Sequence, residues 1–194
     1  VLQTDRSATW TAVRPDGSVA TGTAPAALRA DQGGEWWLEL KTRDGALLAA
    51  APLWVGMQPP PAPLVAIPGT PALGPEDARL EALDTLDLIR EAHGLALLEE
   101  DQLLTSLATV PAEQRAAQTW ARAKGEQRLL AAGFEGSHVM QVTCSAATVA
   151  ACFDDLLHAA ETRAVLLHPQ ARLMGADAVV ETQAVHVALN LTSD

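Results

Sequence analysis

The sequence has no tyrosine, only two phenylalanines and two cysteines in 194 residues, and 13 basic residues against 24 acidic ones. Each shortage excludes something. Two cysteines cannot staple a disulfide-rich scaffold, and Cys144 and Cys152 lack the Cys-x-x-Cys spacing of a redox or metal motif. The net charge of −11 repels phosphate backbones and anionic headgroups. The basic residues Arg115, Arg122, Lys124 and Arg128 are strung along one helical stretch as a solvated face, so nucleic acid is not an expected partner. No apolar run reaches the roughly 18 residues of a membrane span, and no charged, apolar and cleavable leader opens the chain. A chain that begins at Val1 reads as a mature or engineered fragment, any export signal having been removed upstream.

What is present is an ordinary globular composition, 48% hydrophobic and 19% charged, long enough for one large domain or two small ones. Composition changes near residue 58. Before it, the β-prone runs Ala8–Val13, Val19–Thr23, Trp36–Thr42 and Leu47–Val55 are separated by turn signals that include Asp16-Gly17 and Asp44-Gly45. Residues 1–58 are therefore expected to form a small all-β sandwich of immunoglobulin-like type. Gln58-Pro59-Pro60-Pro61-Ala62-Pro63, followed by Pro68, Pro71 and Pro75, favours extended polyproline geometry and marks a linker over residues 59–75.

Residues 76–194 change period. Pro75-Glu76-Asp77 opens a helix, the apolar spacing continues through Leu80, Leu83 and Ile89, and Gly94 ends it. Further helices are expected over 100–109, 112–132 and 146–160, with Gly133 ending the second and Ser145 capping the third. Val139–Thr143, Leu173–Glu181 and Gln183–Leu191 read as strands, the last with Val185, Val187, Leu189 and Leu191 on one face. The whole is an α+β chain.

Particular residues in that order resemble the CAP superfamily (cysteine-rich secretory, antigen 5 and pathogenesis-related proteins; the SCP-like domain). Leu88-Ile89-Arg90-Glu91-Ala92-His93-Gly94-Leu95, then Asp101, Leu104 and Ala108, resemble the first two helices of bacterial members. Ala160-Glu161-Thr162-Arg163-Ala164-Val165-Leu166-Leu167-His168-Pro169 is similar to the family's Ser-Pro-Gly-His-Arg-x-x-Leu-Leu-x-Pro. Leu173-Met174-Gly175-Ala176 is similar to its glycine-containing strand. The resemblance implies an α-β-α sandwich, a secreted, periplasmic or cell-envelope location, and a cleft lined here by Met140, Gln141, Thr162 and Arg163. It also shows what is missing. Thr162 stands where the family has a histidine, Met140 or Gln141 where it has a glutamate, and Pro111 where its upstream histidine falls. A non-catalytic binding or scaffold protein without cofactor follows, its ligand a protein, lipid or polysaccharide.

Two alternatives stay open. His138 and His168 flank the matched segments and could hold zinc in a divergent hydrolase, although no His-x-His or His-x-x-x-His pair exists. Trp36 and Trp37, adjacent in a strand, face opposite sides, and one could stack on a sugar ring. The bland readings are hydrogen-bonded histidines and edge packing. Asp154-Asp155 supplies the polar face of an apolar helix. If Ser145 caps a helix running through Cys152, the thiols stand about 10 Å apart along it, so both are expected unpaired.

Overall fold

In the computed structural model, which describes residues 8–59, 74–134 and 138–193, the chain divides into two compact units. One comprises Val1–Pro63 with Leu157–Ala164, the other Leu64–Leu156 with Val165–Asp194. Most of the proline-rich linker, residues 60–73, lies outside the described residues.

In the first unit, β1 (Ala8–Val13), β2 (Val19–Thr23), β3 (Gly34–Thr42) and β4 (Leu47–Val55) pair antiparallel in the order β2-β1-β3-β4. The Asp16-Gly17 signal makes its turn: Gly17 takes φ 82°, and the Asp16 carboxylate accepts the Ser18 N–H at 2.9 Å. That carboxylate, which also accepts from Gln32, is lowered to about 2 by these hydrogen bonds. The described strands form one sheet and not the two of the expected sandwich. The apolar side of β1 and β3 is instead covered from far along the chain, where Val13 and Trp37, cross-strand neighbours, pack with Ala160 and Ala164. Beside them the Glu39 carboxylate accepts the Ala160 N–H, and Glu35 pairs with Arg163, whose guanidinium lies 4.5 Å from the Trp37 ring centroid.

The second unit contains α1 (Pro75–Ala92), β5 (Glu99–Glu100), α2 (Gln102–Ala116), α3 (Arg122–Ala131), β6 (His138–Ala146) and α4 (Val149–Leu157). After α5 (Ala160–Leu166) follow β7 (Ala171–Val180) and β8 (Val185–Ser193), and the sheet runs β5-β7-β8-β6. Helix α1 starts with Pro75 at its first position and Glu76 and Asp77 in its first turn, and it stops before Gly94, at φ 68°. Asp101 caps α2, its carboxylate accepting the Leu104 N–H at 2.8 Å.

Three expected boundaries move. Pro111 lies inside α2, and the break comes at 117–121 where Gln118 takes φ 56°. The stretch 146–160 is a strand end followed by two helices; Ser145 belongs to β6, and Thr148 accepts the Ala151 N–H at 3.2 Å. The two-residue β5, parallel to β7, carries no sequence signal at all.

Strand β8 is buried along all nine residues, as a central strand covered on both faces must be. Val185, Val187, Leu189 and Leu191 take one face, as the alternation predicts. The other holds His186, Ala188 and Asn190, with Ala188 packed against Ala108 and Ala112 of α2. Helix α4 covers the first face: its Cys152 reaches the Val185 carbonyl at 3.9 Å. Both cysteines are free and buried, but not for the reason the sequence suggests. Cys144 sits on β6 beside the Cys152 thiol, and burial together with that neighbour pushes the Cys144 thiol well above its usual range.

Candidate functional site

The residues at the resembling family's cleft positions take up separate tasks. Met140 and Gln141 are consecutive on β6 and so point to opposite faces of the sheet; both are buried. Gln141 lies opposite Asn190 of β8, which lies opposite Gly175 of β7, so the three share the face beneath α2. The Gln141 amide donates to Asn190 Oδ1 at 2.7 Å, and Asn190 Nδ2 donates to the Leu104 carbonyl of α2 at 2.9 Å. Trp120 Nε1 donates to Gln141 Oε1 at 3.1 Å. Gln141 is 1% exposed and Asn190 0%.

Glycines make room for this line. A Cβ at Gly125 of α3 would stand 1.7 Å from Gln141 Oε1, and one at Gly175 would stand 2.2 Å from the Thr105 backbone nitrogen. Gln141 is thus a neutral amide engaged at both ends, with α3 pressed against it. Such a group does not take a proton near neutral pH.

Thr162 and Arg163 belong to the first unit. The Thr162 hydroxyl, half-buried, donates to the Ala159 carbonyl at 3.2 Å, while Arg163 is buried against Glu35 and Trp37. Pro111 is buried inside α2. His138 opens β6 opposite Ser193, and His168 follows α5 with its carbonyl held by Arg90 at 3.1 Å. Among the described residues, no three His, Cys, Asp or Glu side chains gather where a metal ion could be held.

Trp36 and Trp37, the candidate sugar-stacking residues, are both largely covered. They do face opposite sides of β3, but Trp36 is 5% exposed and Trp37 7%, so neither presents a flat face to solvent. Trp36 donates its N–H to the Gln32 carbonyl at 3.1 Å, and Trp37 packs edge-on to His158 and under Arg163. Sequence reasoning also missed Asn190, Trp120 and Gly125, because the Gln141–Asn190 pair spans 49 positions and only strand register brings it together.

Comparison with solved structures decides the fold. An outer surface protein of Borrelia burgdorferi aligns over 61% of this chain and 93% of its own, with 12% identity and a TM-score of 0.53. A cysteine-rich secretory protein of Staphylococcus aureus aligns over 84% of this chain, with 12% identity and a TM-score of 0.52. The chain has a CAP-like fold. It spans 57% of the staphylococcal chain, and at such identity the likeness is one of fold alone. No protein-family model and no curated protein matches the sequence. Helix α2 packs on one face of the sheet, and Cys152 of α4 reaches the Val185 carbonyl of β8. No described helix is long and apolar enough to cross a membrane.

Proposed function

We propose that this chain is an extracellular or cell-envelope protein whose CAP-like domain works by binding a protein, lipid or polysaccharide, without the metal-assisted chemistry suspected of the family. The observation that carries this reading is the state of Met140 and Gln141, the two positions at which the resemblance sets the family's glutamate: both are buried, neither is a carboxylate, and Gln141 is bonded to Asn190 and Trp120. A packed amide keeps the fold and loses both the ligand and the base. The location is supported by the outer-surface and secretory neighbours. With a net charge of −11, nucleic acid is not among the ligands proposed.

Metal analysis and hydrolysis assays test the reading. The purified protein is expected to hold no stoichiometric zinc and to show no zinc-dependent cleavage of peptides or esters. About one tightly held zinc per chain, lost together with hydrolysis on His168→Ala or His138→Ala, would overturn it and establish the divergent hydrolase.

A further inference from the structure

On the same sheet face as Gln141 and Asn190, but four residues further along β6, a second polar group forms around Ser145. Strand register sets Ser145 directly opposite His186, about 13 Å from the Gln141 pair at the usual rise per residue. Ser145 Oγ lies 2.7 Å from His186 Nδ1 and accepts the Arg115 Nε–H at 3.1 Å. Beyond the imidazole, His186 Nε2 lies 3.5 Å from the Glu181 carboxylate, at the β7–β8 turn. Arg115 reaches the group from the last turn of α2.

The donors and acceptors fit one arrangement. Arg115 has only hydrogens to give, so Ser145 Oγ receives from it and directs its own hydrogen to Nδ1. The imidazole then carries its hydrogen on Nε2, facing Glu181. This is a hydroxyl beside a base and a fixed positive charge next to the oxygen, while His186 Nε2 makes no hydrogen bond among the described residues. His186 is buried, whereas Ser145 and Arg115 are half-buried and Glu181 is exposed.

We propose that Ser145 is an activated nucleophile that takes the acyl group of a small ester, with His186 as its base and Arg115 as the fixed positive charge beside the attacking oxygen. Oγ bonds to the carbonyl carbon as its hydrogen moves to His186 Nδ1. The ester C–O bond then breaks and that hydrogen leaves with the alcohol, giving acyl-serine. Water, its proton passing by the same imidazole, releases the acid and restores the hydroxyl. None of these residues stands at a family cleft position, and no metal takes part, so this activity is separate from the binding function.

The test is labelling of the folded protein by an alkyl fluorophosphonate in the presence of a metal chelator, with the adduct located by peptide mass mapping. The Oγ–P bond forms as fluoride departs with the proton. One adduct per chain is expected, on Ser145, and none there in Ser145→Ala, which removes a single oxygen. His186→Gln is expected to slow labelling at least ~100-fold, within the range of lost general-base assistance. Hydrolysis of p-nitrophenyl acetate is expected to follow the same order. Circular dichroism confirms that each variant is folded. No adduct on Ser145 in the folded wild type, or a labelling rate unchanged in folded His186→Gln, overturns the proposal.

Discussion

Replacing Arg90 by alanine removes a side chain that is 0% exposed and ties three separated carbonyls to α1. Its guanidinium donates to Ala96 at 2.9 Å, Leu166 at 2.9 Å and His168 at 3.1 Å. Burial disfavours the charged form of this arginine, and nearby Asp87 opposes that, so part of what the bonds contribute already offsets desolvation. Breaking one side of a buried charged contact costs about 3–5 kcal/mol, because the partners lose their donors without regaining water. Against a total stability of about 5–15 kcal/mol, that is a large fraction. Arg90→Met separates the causes: it keeps an apolar stem of similar length, so it should remain destabilised by about 2 kcal/mol or more if the orphaned carbonyls dominate. Arg90→Lys should fall between wild type and alanine, since one ammonium cannot reach three carbonyls in a fork. Urea unfolding followed by helical circular dichroism reads the second unit, which holds most of the helix. If Arg90→Ala and Arg90→Met both lie within about 1 kcal/mol of wild type, the reasoning fails.

Gly175→Ala should cost about 3 kcal/mol, the upper end for overpacking, since its Cβ would meet the α2 backbone at 2.2 Å and no side chain can yield there. Thermal melting of that variant at or above wild type would show that α2 shifts freely. The buried Cys144 thiol, raised by burial and by Cys152, stays protonated in the folded protein while the unfolded thiol ionises above about pH 8.5. Stability should therefore be fully present below that pH and fall above it by up to ~1.4 kcal/mol per pH unit, a slope that Cys144→Ala should reduce; identical slopes would refute it. The proline-rich stretch is proposed as the boundary between an N-terminal and a C-terminal domain, so limited proteolysis should cut first between about residues 58 and 75. First cleavage within residues 100–132 would place the weak point elsewhere.

The sequence by itself determined the features that a few consecutive residues can encode. The four N-terminal strands, the Asp16-Gly17 turn, the start of α1 at Pro75 and the alternation of β8 all arise from local spacing, capping and turn chemistry. Gly94 was legible in the same way as a helix stop, whereas Arg90 and Asp101 stood out only through the family resemblance and became a carbonyl clamp and a helix cap. Other features were decided by tertiary structure. Trp36 and Trp37 alternate as strand residues must, yet whether either faced solvent depended on what covered the sheet, and the cover of Trp37 includes Ala160 and Ala164, over a hundred residues away. Gln141 is one letter in the sequence; its burial, its bond to Asn190 and the glycine of α3 against it follow from strand register and helix packing. Ser145 shows the limit most clearly. Its residue type suited a helix cap, but pairing β6 with β8 placed it in a strand opposite His186, a neighbour 41 positions away that no local period could indicate. Periodicity and caps are short-range properties of the chain, whereas burial and side-chain partnership are settled by which distant segments strand pairing and helix packing bring into contact.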